Sequence, residues 1–257
     1  MRVIAREQLA GGIAWVTIDR PEARNAMTFA MWDRLREIAV ALDGDPAVKV
    51  VVITGAGDRA FVSGTDIAAF AGFTAADGIA YEARMERVMG ALEAIRVPTI
   101  AAIAGACTGG GAALAACCDL RVGAANARIG VPVARTLGNA LSLGNVARVA
   151  QLIGLDKTKL LLLTGALLDA QEAYRAGFLT HLVGDGEALA ARALALAVEL
   201  TTLAPLTLRA SKEGCRRLRA AALPEHEDVL RMVYGSRDFA EGVAAFVAKR
   251  APRWEGS

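Results

Sequence analysis

Three consecutive glycines, Gly109, Gly110 and Gly111, stand between an apolar run at residues 98–103 and the apolar helical pattern of residues 112–118. A strand that ends in glycines and restarts as a helix exposes backbone N–H groups at a helix N-terminus, where they bind anions. Glycine has no Cβ, so a ligand can approach the main chain closely, and the helix dipole adds partial positive charge there. The segment offers an oxyanion site made of backbone. Between residues 103 and 118 there is no carboxylate, histidine or lysine, and the next acid is Asp119.

Residues 3–8 and 13–18 alternate around Leu9-Ala10-Gly11-Gly12, predicting a hairpin. A polar segment at 19–25 leads into helical spacing at 26–42, a β-branched strand at 48–54, a loop at 55–66, a helix at 78–95 and the apolar strand 98–103. Strands separated by helices predict a parallel sheet covered by helices. Short strands are expected at 120–122 and 127–129, and from Leu143 onward almost every segment has helical spacing. No Ser/Gly/Pro-rich linker and no repeat divides the chain. We expect an α/β core over residues 1–200 and a helical region over residues 201–257, packed on that core or on a neighbouring subunit.

The chain of 257 residues is 54% hydrophobic and 22% charged, enough for one large core. Its 29 Lys and Arg nearly balance 27 Asp and Glu, which argues against a nucleic-acid or membrane partner. No run reaches the ~18 uncharged apolar residues of a membrane span, and Met1-Arg2-Val3-Ile4 does not open a signal peptide, so a cytoplasmic location is expected. Cys107, Cys117, Cys118 and Cys215 lack C-x-x-C spacing and the only histidines are His181 and His226, so no metal site is expected. Reduced, mostly buried thiols and surface imidazoles are the expectation. Gly55-Ala56-Gly57-Asp58-Arg59-Ala60 imitates a dinucleotide fingerprint, but Phe61-Val62-Ser63-Gly64 breaks the helix that such a site requires.

A second glycine turn, Ser63-Gly64-Thr65-Asp66-Ile67, follows the strand at 48–54. N–H groups near Thr65 and Gly110, donated by separate loops, would converge on one oxygen, as an enolate needs. At these residues the sequence resembles the crotonase, or enoyl-CoA hydratase/isomerase, superfamily. The matching segments run in family order: Ile18-Asp19-Arg20-Pro21-Glu22-Ala23-Arg24-Asn25-Ala26-Met27, Phe61-Val62-Ser63-Gly64-Thr65-Asp66-Ile67, and Pro98-Thr99-Ile100-Ala101-Ala102-Ile103-Ala104-Gly105 into the glycine triplet and Cys118-Asp119. Gln171-Glu172-Ala173, Ala176-Gly177 and the stretch from Asp238 to Phe246 with Lys249-Arg250 continue the match over nearly the whole chain.

The resemblance implies an α/β, crotonase-like fold of stacked ββα units with a helical C-terminal region, assembled as a homotrimer or dimer of trimers, acting on an acyl-CoA. It gives Thr65 and Gly110 the oxyanion hole. It gives the coenzyme to Arg24, Ala26, Ser63, Asp66 and Ile67, with Phe246 and Lys249 reaching the coenzyme of a neighbouring subunit. No cofactor is implied beyond the coenzyme A carried by the substrate.

The sequence departs from the family at both places where hydratases carry a glutamate: Ala113 stands at the first and Val133 at the second. A methyl or isopropyl group takes up no proton, and removing a general acid/base forfeits about 10²–10⁴ in rate. Efficient hydration is therefore not expected, nor is isomerisation, since isomerases of the family usually keep at least one acid; decarboxylation of a malonyl-type thioester, which needs the same oxyanion hole and less proton transfer from the protein, fits the residues better. A non-catalytic acyl-CoA-binding or assembly subunit is the alternative of a different class. Near the vacant positions, Arg135 and Asn139 are candidate acyl-binding groups, Arg135 for a substrate carboxylate. Asp66, beside the oxyanion turn, is expected to cap the following turn, with service as a base the alternative, and Ser142 to cap or pack. Tyr81, Glu82 and Glu86 fall on the helix that would roof the acyl group, where a solvated face is the expectation and a replacement base the alternative.

Overall fold

The computed structural model describes residues 2–6, 11–221 and 227–255. In chain order the elements are β1 (Arg2–Arg6), β2 (Ile13–Asp19), α1 (Phe29–Gly44), β3 (Val50–Gly55), β4 (Ala60–Val62), α2 (Ala75–Glu93), β5 (Thr99–Ile103), β6 (Ala106–Thr108), α3 (Gly110–Cys117), β7 (Leu120–Ala124) and β8 (Arg128–Gly130). There follow α4 (Val133–Thr136), α5 (Leu143–Thr164), β9 (Leu167–Asp169), α6 (Ala170–Arg175), β10 (His181–Val183), α7 (Gly186–Thr201), α8 (Pro205–Ala220), α9 (Glu227–Tyr234) and α10 (Arg237–Val247). The expected turn at Leu9-Ala10 and the surface position of His226 lie outside the described residues.

Two sheets carry the fold, one in the order β1-β2-β3-β5-β7-β10 and one in the order β4-β6-β8-β9. Only β1 with β2 and β8 with β9 pair antiparallel; the other pairs are parallel. Three successive strand pairs, β3–β4, β5–β6 and β7–β8, each put their first strand in the large sheet and their second in the small one. These are the stacked ββα units.

The crossings between sheets are made where a side chain would not fit. A Cβ on Gly55 would lie 2.3 Å from the Phe61 carbonyl oxygen, and one on Gly105, whose φ is +64°, would lie 2.2 Å from the Arg59 carbonyl. Strands β4 and β6 correct the sequence reading, which made 55–66 a loop and ran the strand at 98–103 directly into the glycine triplet. Each is three residues long, too short for periodicity to declare.

Alternation along β3 sorts the core. Val51 and Ile53 face a cluster with Trp32, Leu35, Met85, Val88 and Leu114 from α1, α2 and α3. Val50 and Val52 face Leu189, Ala193 and Leu196 of α7 on the opposite side of the sheet. Helix α8 buries no residue in the chain, although Lys212 reaches the Val97 carbonyl oxygen at 3.1 Å and Asp119 at 2.7 Å. Helix α9 folds back over α2 and α10 over the short turn Ile67–Phe70, placing Leu230, Tyr234, Phe239 and Val243 against Phe70 and Leu137. Part of the 201–257 region therefore closes this chain's own core. Among the described residues no single helix is long and apolar enough to cross a membrane.

Candidate active site

The turn after β4 is pinned from both sides. Met27 N–H donates to the Gly64 carbonyl and Asp66 N–H to the Met27 carbonyl, both at 2.8 Å. That pairing engages the amides on either side of Thr65 and leaves Thr65's own N–H aimed elsewhere. Thr108 at the end of β6 ties the turn to the glycine triplet through Oγ1, which donates to the Ser63 carbonyl at 3.0 Å.

Gly109, with φ at +55°, is the N-cap of α3 and donates its N–H to the Gly130 carbonyl at 2.9 Å. Gly110 opens the helix, so its N–H belongs to the first turn and has no intrahelical acceptor. The two turns touch: a Cβ built on Gly64 would sit 3.8 Å from the Gly110 nitrogen, and one on Gly110 3.8 Å from Thr65 Oγ1. Among the described residues neither the Thr65 nor the Gly110 N–H has an internal acceptor.

Trp32 Nε1 donates to Thr65 Oγ1 at 3.0 Å, and Thr65 Oγ1 and Tyr81 Oη share a further bond of 2.8 Å. Both turns open on a cavity of about 90 Å³ whose wall includes Ser63, Thr65, Ile67, Gly110, Ala113, Val133 and Asn139. Thus seven of the expected site residues come together. Arg24 and Ala26 lie beside this turn, since Ser63 N–H donates to the Arg24 carbonyl at 3.3 Å, but they do not line the cavity. Asp66 caps the short turn at Ala68 and pairs with Arg20 at 2.8 Å, the capping role expected. Ser142 caps α5 through Asn145 N–H.

Arg135 is a correction. Its stem packs where a Gly165 Cβ would be, and its Nε donates to the Thr164 carbonyl at 2.5 Å, at the C-terminal end of α5. The free carbonyls of a helix end attract a guanidinium, and this one does not line the cavity. Phe246 and Lys249 also lie outside the wall, half-exposed and exposed at the end of α10.

Glu82 is the group the sequence reading placed wrongly. It is 5% exposed and lines the cavity instead of facing water. Its Oε1 accepts from Tyr234 Oη at 2.5 Å and its Oε2 from Ser142 N–H at 3.1 Å, while Asn139 Nδ2 donates to Tyr234 Oη at 3.3 Å. Burial pushes the Glu82 carboxyl up to about 7; the bonds from Tyr234 and Ser142 pull against that rise and the charge of Glu86 adds to it. The missed signal was the phase: Glu82 precedes Met85, Met89 and Leu92 by three, seven and ten positions, on the buried stripe of α2. Glu86, by contrast, turns its carboxylate to Arg148.

The family model for enoyl-CoA hydratase/isomerase matches residues 8–257. The chain belongs to the enoyl-CoA hydratase/isomerase family. Relatives in this family include a protein of Mycobacterium tuberculosis named "Probable enoyl-CoA hydratase", 35% identical over 256 residues, covering 98% of this chain and 96% of the relative. A crotonyl-CoA hydratase of Syntrophomonas wolfei is 34% identical over 93% of this chain and 92% of its own. The structure of an enoyl-CoA hydratase/carnitine racemase from Magnetospirillum magneticum superposes with a TM-score of 0.80 at 34% identity, covering all of this chain and 97% of that one.

Proposed function

We propose that this family member binds a short acyl-CoA and holds the thioester oxygen between the N–H groups of Thr65 and Gly110 as enolate charge develops there. The observation that carries this reading is that both amides, unengaged among the described residues, reach one small cavity. Fixed donors in a water-poor site stabilise developing charge without reorganising. We assign the pantetheine and nucleotide to Arg24, Ala26, Ser63, Asp66 and Ile67, on and beside this turn. Phe246 and Lys249, exposed at the end of α10, suit the coenzyme of a neighbouring subunit in a homotrimer or dimer of trimers of this cytoplasmic enzyme. The reading includes no metal and no cofactor beyond coenzyme A.

The cavity wall includes no Lys or Arg among the described residues, which favours an uncharged acyl group over a malonyl-type one. Ala113 and Val133 leave hydrocarbon where hydration uses carboxylates, so crotonyl-CoA hydration should be slower by about 10² or more than in relatives that keep both.

Gly110→Pro tests the oxygen's holder. Proline lacks the N–H and suits the first position of a helix. A Cβ there lies 3.1 Å from the Trp32 ring, so the indole must shift by a few tenths of an ångström. Exchange of the α-protons of butyryl-CoA in D₂O, followed by NMR, should fall about 10²-fold in this variant, while calorimetry still shows butyryl-CoA binding. Wild-type binding with no exchange would favour the non-catalytic acyl-CoA-binding subunit.

A further inference from the structure

We infer that Glu82 is the group that takes and returns the proton on the acyl carbon next to the thioester, positioned by Tyr234. The inference rests on the reading of Thr65 and Gly110 as the holders of the thioester oxygen. It supplies the proton-handling group that Ala113 and Val133 cannot.

The cavity of the two turns is lined on one side by the glycine turns and on the other by α2. Glu82, Thr65, Gly110 and Ala113 all line it, which puts the acid and the two turns on the wall of one cavity. The carboxyl is held in place by two donors from different elements, Tyr234 Oη of α9 and the N–H of Ser142 at the start of α5. Fixed geometry at a reacting carbon is what proton transfer requires.

The step balances on these residues alone. Ionised Glu82 takes the C2 proton; the C–H electron pair becomes the C1–C2 double bond; the carbonyl π pair moves onto the oxygen between Thr65 and Gly110. In reverse, protonated Glu82 gives the proton back to carbon, at C2 or, with an enoyl group, at C4. A single carboxyl that both takes and gives suits a shift of a double bond, whereas hydration needs a second group to activate water.

The groups facing Glu82 are Tyr81 and Glu86 on its own helix, the latter bound to Arg148 of α5, and Tyr234 of α9. A carboxyl poised near neutrality fits the task, because both of its forms are then populated.

The test is α-proton exchange of butyryl-CoA in D₂O, with binding measured in parallel. Wild type should exchange with a rate that rises through about pH 7 and then levels off, following ionised Glu82. Glu82→Gln should lose at least about 10²-fold in exchange with binding kept and an unchanged melting temperature. Tyr234→Phe removes a bond that favours the carboxylate, so its inflection should move to higher pH, which a merely structural role would not produce. Exchange by Glu82→Gln at the wild-type rate would overturn the Glu82 assignment and leave the oxygen's holders standing. A wild type that binds without exchanging, or an unmoved inflection in Tyr234→Phe, would overturn it as well; the first of these would also remove the enolate reading.

Discussion

Gly111→Ala is expected to destabilise the protein by about 3 kcal/mol or more and to abolish α-proton exchange in whatever fraction remains folded. The added Cβ would lie 1.9 Å from the Val62 carbonyl oxygen and 2.8 Å from its carbon, so the obstacle is the backbone of β4 and no rotamer can relieve it. Helix α3 would have to lift from β4, and that contact is what sets Gly110 beside the turn of Gly64 and Thr65. Stability and function fail together here because the close approach that packs the small sheet also aligns the two amides. Gly214→Ala is the matching control. Gly214 lies in the exposed helix α8 with nothing within 4 Å of the new carbon, so the change should be neutral or stabilising by up to about 1 kcal/mol. Chemical denaturation of both variants reads the difference.

The glycine positions made the backbone half of the site legible. Gly64 and the triplet occur only where a chain must turn sharply or let another backbone close in, and the sequence states that need directly. The side-chain half was harder. Glu82 looks like any helical acid unless its phase against Met85, Met89 and Leu92 is checked, and the partner that covers it, Tyr234, lies 152 residues away. Arg135 misled in the opposite sense, since proximity in sequence to Val133 suggested the cavity while the open carbonyl at the end of α5 claims the guanidinium. The crossings at Gly55 and Gly105 likewise depend on contacts with Phe61 and Arg59 that no local pattern encodes.

Arg148→Met should cost about 3–5 kcal/mol, because it removes the cation from a buried ionic cluster. Arg148 is 2% exposed on α5 and binds across to α2: Nε donates to Glu93 Oε1 at 3.0 Å, Nη2 to Glu93 Oε2 at 2.9 Å and Nη1 to Glu86 Oε2 at 2.8 Å. Arg219 of α8 also reaches Glu93, so after the substitution one exposed-end helix must hold a carboxylate that two arginines held before. An exposed pair offers the contrast: Arg34→Ala, which breaks the bond to Glu37 with both side chains about 60% exposed, should change stability by at most about 0.5 kcal/mol. The damage should reach the cavity as well, since α5 is capped by Ser142, whose N–H holds Glu82. Two explanations of the lost stability are separable. If lost contacts dominate, adding Glu93→Gln to Arg148→Met deepens the loss; if the stranded negative charge dominates, the double variant recovers part of it, and the physics of buried ions favours recovery.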